Sequence, residues 1–342
     1  MTTIQAWAAL NAGDAFTPFE YDPGPLDADE VEIAVDYCGL CHSDYSVWKN
    51  EWGVSRFPFV GGHEIVGRVV ALGESAKGLK IGDRVGLGWF ARSDLTTLES
   101  IGGDHNLSPG NQPTIVGRYG GFAERVRCQW VWATPLPDDL SVESAGPLFC
   151  GGITVFNPII EFGVKPTDRV GVIGIGGLGH LAIQFLNKWG CEVTAFTSTP
   201  EKAEEAKSFG AHKILSSRDP DEWAASSRYF DLIMSTVAVD MDWALVSMML
   251  APRGRLHMVG ISPSPVALPA FVMISEQRAF SGSPLGAPDT TRRMLEFCAR
   301  HDIKPKIEVF PMSKINEAMK HLEDGNARYR IVLENDFEDR PN

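Results

Sequence analysis

The pattern of hydrophobic and polar positions divides the chain into three regions. Residues 1–150 alternate apolar and polar positions over short runs between glycines and prolines, as in Val31-Glu32-Ile33-Ala34-Val35. This period of two predicts short strands joined by turns, in a partly closed antiparallel β domain. Beyond Val170, apolar runs alternate with segments of helical spacing, which predicts a parallel sheet with helices on both faces. Near Gly282 the pattern changes again, toward two helices and a closing strand.

Individual elements can be predicted from residue 170 onward. After the first strand, the candidate strands are Glu192–Phe196, Lys213–Leu215, Phe230–Met234 and Arg255–Val259, and the last strand is Tyr329–Leu333. The candidate helices are Glu201–Phe209, Met241–Leu250, Thr290–Arg300 and Lys314–Leu322.

A glycine-rich turn joins the first strand of the predicted parallel sheet, Val170–Ile173, to a helix. Six apolar residues of that helix recur at helical spacing: Leu178, Leu181, Ala182, Phe185, Leu186 and Trp189. In the turn, Gly174, Gly176 and Gly179 form the pattern G-x-G-x-x-G. The first glycine permits a tight turn, the second lets the backbone approach a pyrophosphate, and the third allows the helix to pack closely on the strand. The stretch predicts a dinucleotide-binding turn, and an ordinary strand–helix turn is the alternative.

Composition limits the partners and the compartment. The 342 residues suffice for two domains, and 44% hydrophobic with 22% charged residues is typical of a soluble globular protein. A net charge of −13 argues against nucleic acid and anionic membrane surfaces as partners. There is no apolar run of transmembrane length and no signal peptide at the start, and six cysteines are too few for a disulfide scaffold. We therefore expect a cytoplasmic protein.

Two cysteines and a histidine suggest a metal site. Cys41, His63 and Cys150 would supply two thiolates and an imidazole, leaving the fourth position of a zinc ion open. An open position is what Lewis-acid catalysis on a carbonyl requires. The spacing Cys38-x-x-Cys41 also fits a redox pair or half of a structural zinc site. Because there is no second C-x-x-C, we expect Cys38 to be a small buried residue. Taken singly, His63 fits a hydrogen-bonded polar group equally well, and Cys150 fits a core residue.

Over nearly its full length, the chain resembles the zinc-dependent medium-chain alcohol dehydrogenases, of the cinnamyl alcohol dehydrogenase type and their bacterial aldehyde-reductase relatives. Four stretches carry the resemblance: Tyr37–Asp44, Gly62–Gly67 with Gly73 and Ala76, Pro147–Gly152, and Val172–Gly179. It implies an α/β protein with a GroES-like catalytic domain at 1–150, a doubly wound Rossmann domain at 151–285 and a return to the catalytic domain at 286–342. It also implies a homodimer with a small-molecule substrate, and tetramers occur among the relatives.

The resemblance assigns roles around the metal. It implies that Cys41, His63 and Cys150 bind the catalytic zinc and that Glu64 is a nearby carboxylate able to reach the metal. Asp44 and Arg330 match an ion pair behind the zinc, and Ser43 matches the hydroxyl that hydrogen-bonds the substrate oxygen. The histidine that usually ends the proton relay is replaced here by Ser46, so we expect protons to pass directly to water.

Members of this family normally carry a second, structural zinc held by four cysteines, and this chain lacks those cysteines. The four cysteine positions of that lobe, within Leu87–Leu107, are occupied by Arg92, Leu95, Leu98 and Asn106. We therefore expect one zinc per chain. Leu95 and Leu98 predict a lobe held by apolar contacts, with a short helix from Asp94 to Ile101, and His105 is expected to be exposed.

The resemblance also assigns the cofactor. Where an NAD enzyme carries an acid at the end of the second Rossmann strand, this chain has Thr197, and with Ser198 and Lys202 it matches residues that contact the 2′-phosphate of NADP. We therefore expect NADP(H). Thr199 and Pro200 also fit the N-cap and the first turn of a helix. The other implied cofactor contacts are His42, Thr154, Gly174, Gly176, Gly177, Leu178, Gly179, Thr236, Val237, Gly260, Ser283 and Leu285.

The predicted reaction is reversible hydride transfer between NADPH and a zinc-polarised aldehyde. The corresponding pocket residues are Trp48, Trp52, Phe90 and Pro284 with Leu285, an apolar set that suits aromatic or medium-chain aldehydes. Trp48 and Trp52 fit a core pair equally well. The alternatives are metal-free reduction of an activated alkene or iminium on the same fold, and a binding protein without turnover. The complete ligand set and the presence of Ser43 argue against both.

Overall fold

The computed structural model describes residues 3–337, and this part of the chain forms two compact units. The first unit contains the chain up to Ile153 and again from Leu285, and the second is Thr154–Pro284. Each unit has its own sheet.

Short strands dominate the first 150 residues. Their elements are β1 (Ile4–Ala8), β2 (Thr17–Tyr21), β3 (Glu30–Leu40), α1 (His42–Trp48), β4 (Glu64–Leu72), β5 (Arg84–Leu87), β6 (Phe90–Arg92), α2 (Leu98–Gly102), β7 (Gln112–Pro113), β8 (Arg125–Gln129), β9 (Thr134–Pro135) and α3 (Val142–Ala145). A 3₁₀ turn, Gly146–Phe149, follows.

Strands and helices alternate in the middle of the chain. The elements are α4 (Gly151–Glu161), β10 (Arg169–Ile173), α5 (Gly179–Trp189), β11 (Glu192–Thr197), α6 (Pro200–Ser208), β12 (Lys213–Ser216), α7 (Pro220–Ala225), β13 (Phe230–Ser235), α8 (Trp243–Met248), β14 (Leu250–Met258), α9 (Ala270–Ser275) and β15 (Ala279–Gly282). The last part contains α10 (Pro288–His301), β16 (Ile307–Pro311), α11 (Ile315–Glu323) and β17 (Arg330–Glu334).

The sheet of the first unit has the order β16-β17-β3-β4-β5-β9, with β8 also paired to β3. Its pairings are antiparallel except for β16 with β17, which run parallel. The antiparallel pairing predicted for the strands of residues 1–150 is confirmed, whereas the later strands β16 and β17 run parallel. The reason is that α11 returns the chain between β16 and β17, and such a crossover makes its two strands parallel.

The sheet of the second unit has the order β12-β11-β10-β13-β14-β15, and all neighbours are parallel. This is the doubly wound order with its switch point beside β10, which confirms the predicted Rossmann domain. The predicted strands agree with the observed ones to within a residue or two, except that β14 begins at Leu250 instead of Arg255. The edge strand β15 was not predicted, because four residues of mixed polarity carry little periodic signal. Among residues 3–337, no helix has the length and apolarity to cross a bilayer.

Candidate metal and nucleotide sites

Neighbouring strands bring the candidate metal ligands together in the first unit. Cys41 follows the end of β3 and caps α1, while His63 immediately precedes β4. The two strands pair so that Gly39 lies opposite Glu64, which places the end of one beside the start of the other. Cys150 lies between the 3₁₀ turn and α4. Three separate stretches of chain therefore converge at one end of the sheet.

The ligand atoms of Cys41, His63, Glu64 and Cys150 all lie within 4.8 Å of one another. The two sulfur atoms are 3.9 Å apart. His63 and Glu64 are fully buried, yet His63 Nε2 and Glu64 Oε2 have no hydrogen-bond partner among residues 3–337. Buried polar atoms are normally paired, so two orphans facing two thiols indicate room for a further binding partner. Two sulfurs and an imidazole nitrogen are a donor set that suits zinc.

Asp44 holds this arrangement in place. Its carboxylate accepts hydrogen bonds from the backbone N–H of Cys41 at 2.9 Å and of Gly62 at 2.8 Å. His63 Nδ1 lies 3.0 Å from the same carboxylate, which leaves Nε2 as the free nitrogen. The Trp89 ring packs edge-on against the imidazole, with 5.0 Å between centroids. The carboxylate therefore orients both the helix cap and the histidine.

The site favours a thiolate on Cys41. A hydrogen bond from the Cys150 thiol, aided by the charge of Arg330, lowers the pKa of Cys41 well below its usual range. Burial raises the pKa of the Cys38 thiol, and its sulfur donates to the Gly39 carbonyl at 3.6 Å. Cys38 thus lies in the core as a small buried residue, outside the ligand group.

Arg330 pairs with Glu64, and the Asp44–Arg330 ion pair expected from the sequence is wrong. Within residues 3–337, the Arg330 guanidinium donates to Glu64 Oε1, while Asp44 serves His63. Burial raises the pKa of Glu64 to about 8 in spite of the Arg330 charge. A Cβ on Gly39 would overlap the Glu64 carboxylate, so the glycine makes room for it. Local pattern could not predict this pairing, because the two partners are 266 residues apart.

Ser43 lies beside the ligands, and Ser46 on the same helix binds a further carboxylate. The Ser43 hydroxyl is 3.8 Å from the Cys41 sulfur. Ser46, which is buried, donates a hydrogen bond of 2.7 Å to the exposed Glu51. Sequence reasoning missed Glu51, although an acid five residues after the relay position was a signal that could have found it.

The lobe without cysteines is held by polar contacts instead of the apolar contacts predicted. Leu98 is 84% exposed and Leu95 is 37% exposed, and α2 begins four residues later than expected because the Thr97 hydroxyl caps it by accepting from Ser100 N–H. Polar bonds hold the lobe: Arg92 donates to Asp29, Asn106 Nδ2 to the Leu285 carbonyl, Thr97 to Ser108, and the Trp132 indole N–H to the Ser93 hydroxyl, which also lies 3.2 Å from His105 Nδ1. His105 is therefore half-buried and not exposed as predicted.

The glycine turn has the shape expected for a phosphate cradle. Gly174 has a φ of +94°, and a Cβ on Gly179 would overlap the Gly174 carbonyl, so both positions require glycine. A Cβ on Gly176 would meet nothing within 4 Å, which leaves that backbone open to a ligand. The Thr236 hydroxyl donates to the Ile173 and Gly174 carbonyls at 3.0 and 3.2 Å and supports the turn. Beside it, Gly177 and Leu178 lead into α5.

The end of β11 offers hydroxyls where an acid would bind the ribose of NAD. Thr197 is buried, and its Oγ1 has no hydrogen-bond partner in the part of the chain that the structure describes. Thr199 caps α6 by accepting from Lys202 N–H at 3.4 Å, with Pro200 in the first turn, so its structural role is confirmed. Ser198 is exposed and Lys202 half-buried. The other residues assigned to the cofactor in this unit are Thr154 on α4, Val237 after β13, Gly260 after β14 and Ser283 after β15. In the first unit, His42 is exposed at the start of α1, with its ring 5.3 Å from Tyr45.

The residues assigned to the substrate pocket occupy different places. Trp48 is buried in the hydrophobic core, where it stacks on Phe16 at 5.9 Å. Trp52 is 40% exposed and packs on Trp89, the tryptophan that contacts His63. A small cavity of the first unit is lined by apolar side chains that include Trp89, Phe90, Phe149, Ile153 and Leu285. Pro284 is exposed at the end of the second unit.

Comparison with known proteins places both units in one family. The alcohol dehydrogenase GroES-like domain matches residues 27–138, and the zinc-binding dehydrogenase domain matches residues 177–300. The chain is 53% identical to the aldehyde reductase AdhA of Synechocystis sp. over 96% of this chain and 98% of that protein. It is 36% identical to a probable cinnamyl alcohol dehydrogenase of Oryza sativa, over 97% of this chain and 95% of that one.

Solved structures agree. A cinnamyl alcohol dehydrogenase of Sorghum bicolor superposes with a TM-score of 0.92 at 32% identity, covering 97% of this chain and 98% of that one. The cinnamyl alcohol dehydrogenase of Helicobacter pylori complexed with NADP(H) gives 0.88 at 27% identity, with the same coverage. The chain belongs to the medium-chain alcohol dehydrogenase family.

Proposed function

We propose that this protein is an aldehyde reductase that uses NADP(H) and a single zinc ion held by Cys41, His63 and Cys150. The observation that carries the proposal is the convergence of these donors within 4.8 Å around an unpaired, buried His63 Nε2. When bound, zinc would act as a Lewis acid on the substrate carbonyl and NADPH would supply the hydride. The two chemistries together favour aldehyde reduction over the metal-free reduction of an alkene or iminium.

The residues around the metal each have a task in this reaction. Asp44 keeps the proton of His63 on Nδ1, so that Nε2 presents its lone pair to the metal. Arg330 donates a hydrogen bond to Glu64, and the Glu64 carboxyl lies within 4.8 Å of the other donor atoms, close enough to serve as a temporary ligand. Ser43 donates a proton to the alcohol oxygen as the product forms. We place the solvent end of the proton route at the exposed Glu51, because Ser46 donates to it.

The cofactor is NADP(H) in this proposal. The unpaired hydroxyl of Thr197, with Ser198 and the cation of Lys202, suits a 2′-phosphate, and Thr197 stands where a carboxylate would repel it. Thr197→Asp should lower kcat/KM for NADPH by at least tenfold and improve the use of NADH. The control is Thr199→Ser, which keeps the helix cap. A variant that retains its preference for NADPH would count against this assignment.

The substrates are aromatic or medium-chain aldehydes. The cavity beside Trp89 and Phe90 and the exposed ring of Trp52 are apolar surfaces that suit such chains and disfavour charged sugars. In place of the core residue Trp48, we assign Trp89 to this pocket. Benzaldehyde and cinnamaldehyde should therefore be reduced with a much higher kcat/KM than a sugar aldehyde.

A homodimer through the second unit is the assembly we propose. β15 is an edge strand of the six-stranded sheet and carries Phe280, which is 45% exposed. The preceding helix α9 carries Phe271 and Ile274, which are 82% and 75% exposed. Exposed apolar side chains at a sheet edge are normally covered by another protein surface. Phe271→Glu with Ile274→Glu should produce monomers in light scattering, and an unchanged mass would exclude this interface. All six cysteines are free thiols, which supports a reducing, cytoplasmic location.

The decisive experiment measures metal content and activity together. Protein purified without added zinc should contain one zinc per chain and reduce benzaldehyde with NADPH, and a chelator should abolish the activity. A Cys150→Ser variant should lose both zinc and activity, whereas Cys38→Ser should keep both. Protein that binds NADPH but holds no zinc would overturn the proposal and favour metal-free reduction.

A further inference from the structure

A fully buried histidine in the second unit has no role in the chemistry proposed so far. His257 lies on β14, one residue before the strand ends, and it is 0% exposed. Its Nδ1 is 2.9 Å from the Ser281 hydroxyl, and its Nε2 is 3.1 Å from the Ser283 hydroxyl. A single side chain thus binds two residues of the neighbouring strand and of the segment that follows it.

The register of the sheet explains why one ring reaches both hydroxyls. His257 is paired with Ser281 in the parallel ladder, and residues two apart on a strand point to the same face. The ladder ends at the pair Met258 and Gly282, so Ser283 is the first residue beyond it. The imidazole therefore continues the connection between the two strands past the last backbone pairing.

The imidazole also couples the two hydroxyls. Burial and the charge of Arg255 lower the pKa of His257 to about 4, so the ring is neutral at pH 7. A neutral imidazole has one N–H and one acceptor nitrogen, so one serine must donate to the ring while the other accepts. On its other side the ring packs against Phe162 at 5.1 Å, which holds it in place. An apolar residue would fill this position without the cost of burying a polar group, so the hydrogen bonds account for the histidine.

We propose that His257 is a positioning residue for NADP(H): through Nε2 it fixes the Ser283 hydroxyl at the carboxyl edge of the sheet, where the nicotinamide half of the cofactor binds. Ligands of doubly wound sheets bind at this edge, with one nucleotide on each half of the sheet. The glycine turn after β10 and Thr197 on β11 belong to one half, so the half formed by β13–β15 is left for the nicotinamide. The inference rests on the proposed function, because Ser283, which the family resemblance assigns to the cofactor, can contact it only if NADP(H) binds as proposed. If only the bond to Ser281 mattered, His257 would link the two strands and its loss would not affect cofactor binding.

Three substitutions separate these roles. His257→Leu removes both bonds, His257→Asn can retain only the bond made by Nδ1, and His257→Gln can retain only the bond made by Nε2. The binding of NADPH should weaken about tenfold in the Leu and Asn variants and stay within about twofold of the parent in the Gln variant, since a neutral hydrogen bond contributes up to about tenfold. Ser281→Ala is the matched control and should bind NADPH like the parent.

The ligands are chosen so that damage to the fold is recognised. Each protein is titrated with NADPH and with adenosine 2′,5′-bisphosphate, which lacks the nicotinamide half, and binding is followed by tryptophan fluorescence. His257→Leu should weaken NADPH and leave the bisphosphate unchanged. Equal loss of both ligands, unchanged NADPH binding in His257→Leu, or no rescue by Gln over Asn would overturn the inference. A parent protein that binds neither ligand would instead contradict the proposed function.

Discussion

Replacement of Asp44 by Asn tests whether this carboxylate organises the metal site. The side chain is fully buried and accepts three bonds, from two backbone N–H groups and from His63. In the variant, the amide oxygen can keep Gly62 and His63, but the NH₂ group then faces the Cys41 N–H, so two donors meet. Losing one charge-assisted bond and the charge of the other two should lower the free energy of unfolding by about 2–4 kcal/mol. A protein of ordinary stability would still fold.

The metal should respond more strongly than the fold. Because Asp44 sets the orientation of His63 and the cap that carries Cys41, we expect zinc to bind about 10–100-fold more weakly to Asp44→Asn. Zinc affinity is measured by competition with a chromophoric chelator, and stability by urea unfolding of the metal-free protein. The control is Asp14→Asn, the same change at an exposed aspartate whose side chain accepts a hydrogen bond from Asn11. Zinc affinity within twofold of that control would refute the reasoning.

Three further predictions follow from single positions. Gly39→Ala should destabilise the protein by about 1–3 kcal/mol and release zinc because its Cβ meets Glu64, whereas Gly176→Ala, which meets nothing within 4 Å, should keep stability in urea unfolding; equal stabilities would contradict the packing argument. Burial lowers the pKa of His257 from 6.5 to about 4, so the folded protein binds fewer protons than the unfolded chain in this window. Stability should therefore fall by up to about 3 kcal/mol as the pH decreases from 6.5 to 4, and His257→Leu should lose less over the same titration. Leu98→Ser should change the free energy of unfolding by no more than about 0.5 kcal/mol, because this leucine is 84% exposed, and a larger loss would support the apolar contacts first predicted for the lobe.

Features that depend on neighbouring residues were predicted well. The turn from Gly174 to Gly179 needs only the sterics of a few consecutive residues, and the structure shows the positive φ at Gly174 and the close approach at Gly179. The strands that follow were predicted from short apolar runs, and their alternation with helices implied the parallel sheet. The hydroxyl at Thr197 could be located in the same way, by counting to the end of its strand.

The wrong predictions concern residues whose role depends on whether the side chain is buried in the folded protein. Leu95 and Leu98 were expected to hold their lobe because they are apolar, but apolar residues also occur on surfaces, and here polar bonds around Ser93 hold it instead. The assignment of Trp48 to the substrate pocket was wrong for the converse reason. A tryptophan at helical spacing gives the same sequence pattern whether it lines a pocket or lies in the core, and Trp48 lies in the core. Neither the exposed fraction of a side chain nor the residue that it contacts can be predicted from the local sequence pattern.

The sequence by itself determined the glycine turn, the order of the strands and helices in the second unit, and the residues able to act as zinc ligands. The tertiary structure alone decided which of these residues meet. Cys41 and Cys150 are 109 residues apart and Glu64 and Arg330 are 266 apart. The pairing of β3 with β4 and β17 brings Cys41, Glu64 and Arg330 to one end of a sheet, and Cys150 joins them because the 3₁₀ turn before it packs on β3 and β4. Local periodicity records which face of an element is buried, whereas contacts over such separations depend on how sheets are ordered and registered, which no short stretch encodes.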